Sequence, residues 1–387
     1  METGYVPLQF EMARWGVPLV IAILAITAFQ WRVQYEMVDF AVYRQAATRV
    51  ARAEPLYQTG DGHYQFKYLP AFAIAALPLT LVDESAAKMM WFAASIGALV
   101  LLVRWSVRFL PERRRGIGLL IALTALFMAK FYAHELILGQ SNIFFALLAI
   151  SAIGALQLDA DAIGGGLLGA AVCIKPYALV FAPWLLVNGT SGNRRALVAF
   201  ATVCAVVLIA PAAIYGIDGN FQLLADWWRT VSLSTAPNLT GADNVSLAAM
   251  WTKWLGANAS TRLLTGLSSA AALGLVIDAW MRRNDTGDPI YLEVAALLLL
   301  VPLLSPQGWD YVLLLATPAV ALLFDRLPEL SRGWQTATWG AVAIMGLVTF
   351  DLLGRAAYAR FMAWSIISLA AITLLVCLTQ LRRLKLA

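Results

Sequence analysis

Apolar runs close to bilayer-spanning length recur along almost the whole chain, and they decide what it can fold into. They fall at roughly 15–33, 67–82, 86–109, 116–133, 142–157, 163–188, 195–216, 261–281, 290–304, 311–324, 334–353 and 358–380. A helical span needs roughly 20 residues. The pattern therefore predicts an all-α integral membrane protein with about 12 transmembrane helices. Of 387 residues, 61% are hydrophobic and 13% charged; a soluble globule is nearer half apolar and about a quarter charged. The period-two alternation of a membrane barrel is absent. A net charge of +5 over this length leaves no nucleic-acid footprint. Cys173, Cys204 and Cys377 lie inside apolar runs and read as small core residues.

Charge placement orients the spans. Arg14 precedes the apolar run from Val17 to Phe29 without a small-residue cleavage site, and reads as a signal anchor retained as the first span. Arg194 and Arg195, Arg282 and Arg283, Arg326 and Arg332, and the tail Arg382, Arg383 and Lys385 then share one side. That side is cytoplasmic by the positive-inside rule, as are both termini. Arg113-Arg114-Arg115 falls on the opposite side in this count. Either the rule is broken there or a segment between 67 and 188 is re-entrant. Lys175-Pro176 is a candidate break, since proline disrupts a helix.

The chain reads as one transmembrane domain, 1–387, with two long outer segments, 34–66 and 217–257. In the first, Phe40, Tyr43, Ala47 and Val50 recur at helical spacing, with Arg44, Arg49 and Arg52 on other faces. That predicts an amphipathic helix lying at the membrane interface. Gly164-Gly165-Gly166 opens a span and favours close helix packing.

Few residues could carry chemistry. Asp39 heads the amphipathic stretch, where a carboxylate can cap free backbone N–H groups or serve as a catalytic base. Lys175 lies within an apolar run, which costs several kcal/mol unless it is paired or snorkels. The functional reading is a counter-ion for a phosphate at the membrane surface. Lys67, in Phe66-Lys67-Tyr68-Leu69-Pro70, is an interfacial anchor or a second anion contact. His134-Glu135 and Gly139-Gln140-Ser141-Asn142 form a polar cluster between spans. With no histidine-rich zinc motif, Gln140 and Asn142 fit hydroxyl groups better than a metal. Trp309 and Asp310 offer an indole for stacking and an acid for a sugar. Trp227, Trp228 and Asn244 belong to the long segment that could close over the same site. With no histidine-rich zinc motif, neither a metal nor another cofactor is expected.

These elements, taken in order, resemble a known family. They are V-D-F-x-V-Y-x-x-A-A, ending in Glu54-Pro55-Leu56-Tyr57, then F-K-Y-L-P, L-G-Q-S-N, I-K-P-Y, N-V-S-L and S-P-x-x-W-D. Over roughly residues 35–320 the set is similar to the polyprenol-phosphate-mannose-dependent α-(1,2)-mannosyltransferases, glycosyltransferase family 87. The resemblance implies a GT-C multi-span helical bundle with its site at the extracytoplasmic face. It also implies a catalytic Asp in the first outer loop, which maps to Asp39. Where the family often has a histidine after the motif tryptophan, Asp310 and Tyr311 follow Trp309; N-V-S replaces the usual N-Q-S.

The resulting expectation is an inverting hexosyl transfer, mannose favoured, from a polyprenyl-phosphate donor to a hydroxyl of a glycan or glycolipid acceptor. Asp39 is the base and Lys175 and Lys67 meet the donor phosphate. Tyr43, His134, Gln140, Asn142, Asn244, Trp309 and Asp310 contact substrate. The alternatives are transfer of another lipid-linked sugar, or a non-catalytic lipid or sugar transporter. A transporter gathers its polar groups near the midplane between repeats; here they gather at span ends.

Overall fold

Helices satisfy every backbone group internally, which is what an apolar chain needs in lipid. The computed structural model describes residues 23–187 and 191–385. Among them helices form the whole framework, and the extended pairing is an isolated bridge between Asn244 and Trp309. The helices used below are α1 (Val38–Ala51), α2 (Pro70–Ala75), α3 (Glu84–Arg108), α4 (Ile117–Leu138), α5 (Asn142–Gln157), α6 (Asp161–Ile174), α7 (Phe181–Val187) and α8 (Ser191–Ile209). They continue with α9 (Ala212–Asn238), α10 (Leu247–Leu255), α11 (Ala259–Met281), α12 (Ile290–Leu304), α13 (Asp310–Glu329), α14 (Arg332–Leu347) and α15 (Ile366–Arg383).

Among the described residues, 5 helices are long and apolar enough to cross a membrane: α3, α4, α11, α13 and α15. A sixth arises if α8 and α9, bent by 87° about the Ala210-Pro211 break, count as one span. The shorter apolar helices α5, α6 and α12 run between the same two ends of the bundle. Leu119 and Leu126 on α4, and Leu263 and Leu267 on α11, point outward uncovered, as lipid-facing side chains do. The signal-anchor reading of Arg14 and Val17 lies outside the described residues.

One end of the bundle is basic and densely bonded. The Asp325 carboxylate accepts from the backbone N–H groups of Arg114 and Arg115, each at 2.9 Å. Gln157 donates to the Phe109 carbonyl (3.1 Å) and to Asp288 (2.6 Å). Buried Glu293 accepts from the Trp184 indole at 2.8 Å and lies 3.4 Å from Arg283.

These contacts correct the span count between 67 and 188. Residues 67–82 do not cross: Pro70–Ala75 and Leu77–Thr80 are short helices, and six helical residues advance only about 9 Å. The segment folds back on α1, whose Arg44 donates to the carbonyls of Leu79 and Val82. The predicted run 163–188 instead breaks in two at Lys175-Pro176, between α6 and a short helix leading into α7. Arg113-Arg114-Arg115 lies at the same end of the bundle as Asp325 and the other basic loops.

Helix α1 is amphipathic as its spacing predicts, but its apolar face turns into the protein. Tyr43, Ala47 and Val50 pack with Phe66, Tyr68 and Phe72. Arg49, expected on an exposed face, is buried and makes a bidentate pair with Asp61 at 2.6 and 2.7 Å. That pair pins the following loop onto α1.

Gly165 is where α6 meets α8. A Cβ built there would overlap the carbonyl group of Ala196, so the glycine permits the backbone approach that the triple-glycine run foreshadows. Gly165→Ala must push the helices apart. The expected result is a loss of about 1–3 kcal/mol, read as a lowered thermal midpoint of the detergent-purified protein. An unchanged midpoint would contradict the packing.

Candidate functional site

At the end opposite the basic loops, a cavity of about 660 Å³ opens between α1, the segment 63–68, the C-terminus of α4, the α6 break, α9 and the 305–312 stretch. Asp39, Lys67, His134, Gln140, Lys175 and Trp309, all singled out in the sequence, line it together.

Asp39 is the second residue of α1. Met37 holds the N-cap position and no side chain caps the helix. The capping explanation of Asp39 is therefore overturned, and its half-buried carboxylate faces the cavity. Burial pushes its pKa above the ordinary carboxylate value, while Gln140, Lys175, Lys67 and His134 pull it back down. The two lysines come from breaks in helix. Pro176 disfavours helical geometry in the residue before it; Lys175 is extended (φ −145°, ψ 126°), ends α6 and turns into the cavity. Lys67 precedes Pro70, the first residue of α2. Burial lowers the Lys67 pKa and Asp39 opposes the shift.

Beneath these groups runs a hydrogen-bonded floor. Lys175 Nζ donates to the Tyr68 hydroxyl at 3.0 Å and lies 4.2 Å from that ring's centroid. The Tyr68 and Tyr43 hydroxyls share a 2.6 Å hydrogen bond. Both hydroxyls lie 3.1 Å from Gln140 Oε1, which accepts from whichever of them is not donating to the other. Gln140 Nε2 donates to the Tyr311 hydroxyl at 3.1 Å. Gln140 reaches this position because α4 ends on Gly139 in left-handed geometry (φ 68°), which glycine adopts freely. Asn142 donates to Glu135 Oε2 at 3.0 Å, and Glu135 Oε1 accepts the Ile143 N–H at 3.0 Å. The buried carboxylate thus satisfies the start of α5. Tyr43 and Asn142, read from sequence as substrate contacts, lie fully buried in this floor and hold other groups in place.

Asn244 likewise sits behind the wall. Its amide donates to the carbonyls of Pro306 (2.7 Å) and Asn238 (3.0 Å). Val245 N–H bonds the Gly308 carbonyl at 2.7 Å, and Asp310 N–H the Asp243 carbonyl at 2.8 Å. The N-V-S and S-P-x-x-W motifs are thereby stitched to each other. Asp310 is buried, with Oδ1 lying 2.9 Å from Nδ1 of His134. The tryptophan motif has no histidine of its own; His134 of α4 reaches its acid from elsewhere in the chain.

Tyr68, Tyr177, Gln307 and Asp243 also line the cavity and went unassigned in the sequence. The signal for the tyrosines was their place beside Lys67 and Pro176. Trp227 and Trp228 line it too, and Trp227 Nε1 donates to the Lys67 carbonyl at 3.1 Å. Among the described residues, no three His, Cys, Asp or Glu side chains gather as metal ligands.

Outward apolar helices with a charged, aromatic-lined cavity at one end define the class, a multi-span helical membrane protein. The chain belongs to glycosyltransferase family 87, whose model matches residues 66–306. Lys67, Gln140 and Lys175 fall inside that stretch, Asp39 before it, and Trp309 and Asp310 just after it. A Mycobacterium tuberculosis (strain CDC 1551 / Oshkosh) protein named polyprenol-phosphate-mannose-dependent alpha-(1-2)-phosphatidylinositol pentamannoside mannosyltransferase is 25% identical over 319 residues, 78% of this chain and 70% of that protein. No solved structure matches the chain.

Proposed function

We propose that this membrane glycosyltransferase moves a mannosyl group from a polyprenyl-phosphate donor to a hydroxyl of a glycan or glycolipid acceptor. The observation that carries this is the meeting of one carboxylate, Asp39, and two cations, Lys67 and Lys175, in one cavity. The name of the mycobacterial relative supports both donor and sugar. A polyprenyl phosphate is a fair leaving group that needs charge stabilisation more than protonation, and the lysines supply it. A sugar hydroxyl is a poor nucleophile, so a base must take its proton. Asp39 takes that proton as the acceptor oxygen bonds the anomeric carbon and the carbon–oxygen bond to phosphate breaks. Attack opposite the phosphate inverts the centre, so a β-linked donor yields an α-linked product.

In this reading the chain is one GT-C-like domain. The shorter apolar helices also cross the bilayer, and the basic end faces the cytoplasm. The cavity then opens extracytoplasmically, where α1 lies at the interface and the donor must be carried by lipid.

The test is the purified full chain in lipid nanodiscs with polyprenyl β-mannosyl phosphate and a mannoside acceptor. The expected result is stoichiometric release of polyprenyl phosphate and an α-linked product. A β-linked product would overturn the inversion, and no transfer would overturn the donor assignment.

A further inference from the structure

Helix α9 carries an apolar face left uncovered among the described residues. It leaves α8 at 87° and kinks again at Gly216, in left-handed geometry (φ 72°) that glycine adopts freely. Beyond the kink its side chains sort into three faces. Leu223, Trp227 and Val231 turn inward: Leu223 packs in the cluster around Tyr43, and the other two line the cavity. Asp218, Gln222 and Arg229 share a second, exposed polar face. Ile217, Phe221 and Trp228 recur at helical spacing on the third face, and are 71%, 66% and 65% exposed.

The direction of the third face is fixed by ties that leave it free. The Tyr215 hydroxyl donates to the Glu54 carbonyl at 2.9 Å, and Trp227 Nε1 to the Lys67 carbonyl at 3.1 Å. Gln307 Nε2 reaches the hydroxyls of Ser234 and Thr235 at 3.1 and 3.3 Å. Together they strap α9 across the cavity.

A bilayer surface is the occupant this face fits. α9 has the length to cross a membrane but is not among the helices apolar enough to do so alone. A helix at about a right angle to a span lies along the membrane plane. α8 packs lengthwise on α6 at Gly165 and Gly169 and reaches the bend with Val198, Val206 and Ile209 exposed. The third face of α9 continues that lipid-facing belt. An apolar stripe flanked by polar side chains is what an in-plane helix presents to a leaflet, and tryptophan favours that depth. By contrast α1, the interfacial helix expected from sequence, spends its apolar face on the protein.

We infer that α9 is an in-plane helix seated in the leaflet at the cavity end, with Ile217, Phe221 and Trp228 among the acyl chains, and that the cavity meets the leaflet at Trp228. Trp228 lines the cavity while most of its surface stays open, so the mouth beside it lies at membrane level. The inference goes beyond the proposed reaction and does not depend on it.

The test is spin-label depth measurement on the full chain in nanodiscs of phosphatidylcholine and phosphatidylglycerol. In a background of Cys173→Ala, Cys204→Ala and Cys377→Ala, single labels are attached through Ile217→Cys, Phe221→Cys, Trp228→Cys, Asp218→Cys or Gln222→Cys. Oxygen, which partitions into lipid, and a water-soluble nickel chelate compete to relax each label. Labels replacing Ile217, Phe221 and Trp228 should lie about 5–10 Å below the lipid phosphates. Those replacing Asp218 and Gln222 should lie at or above phosphate level. Adding Ile217→Asp should raise the label at Phe221 towards the phosphates, since a carboxylate is costly among acyl chains. Labels at all five positions open to the chelate would overturn the seating. Labels at Ile217 and Phe221 shielded from both reagents would overturn it too, and show the face covered by a second copy or another segment of the chain. A label at Trp228 open only to the chelate would overturn the membrane-level mouth. No turnover enters these measurements, so failure of the proposed reaction and failure of the seating are read separately.

Discussion

Asp39→Asn should lower kcat by about 10²–10⁴-fold, the range a positioned general base contributes, with little change in donor KM. Asparagine keeps the shape and the neighbours but cannot accept a proton. The cap that might have made this substitution a stability mutation is absent, because α1 has no side-chain cap. The thermal midpoint should therefore hold while turnover falls. The pH profile supplies a second reading. Burial raises the Asp39 pKa, and a base works only when deprotonated. Turnover should rise with pH through that raised pKa and be lost below it. The acid limb should thus lie above the pKa of about 4 of a free carboxylate, and disappear from the residual rate of Asp39→Asn. Near-wild-type turnover in that variant would remove Asp39 from the mechanism.

Lys175→Ala should cost about 10²–10³-fold in kcat/KM for the lipid-phosphate donor, comparable to deleting one preorganised group that stabilises developing charge. The ammonium is held in place before any donor arrives, by the Tyr68 hydroxyl at 3.0 Å and the ring beneath it at 4.2 Å. Tyr68 is in turn tied through Tyr43 and Gln140 to Tyr311. Little reorganisation remains for the reaction itself. Measuring kcat/KM separately for donor and acceptor checks the assignment: the loss should sit on the donor side. Unchanged donor kinetics would show that Lys175 serves only the tyrosine floor.

Much of the site was legible because chemistry-bearing residues are rare in an apolar chain. Asp39, Lys175 and Lys67 stood out against spans that tolerate few charges, and all three line the cavity. What each polar side chain does could not be read the same way. Asn244 and Asn142 resemble ligand contacts in sequence, yet both bond other protein groups. Asp243 lay unnoticed beside Asn244. Its place in the cavity lining comes from a backbone bond to Asp310, a residue distant in sequence.

The sequence alone determined the helical membrane class, since only helices or closed barrels hide their backbone in lipid and no barrel alternation is present. It also offered Lys175-Pro176 as a candidate break, because proline disfavours helical geometry in the residue before it. Tertiary structure decided the rest. Hydropathy registers the length of an apolar run but not its direction, so only packing on α1 shows that residues 67–82 turn back. Pairing across space is equally invisible along the chain. His134 and Asp310 become partners, and Asp39 ceases to be a cap, only once α1, α4 and α13 converge on one cavity.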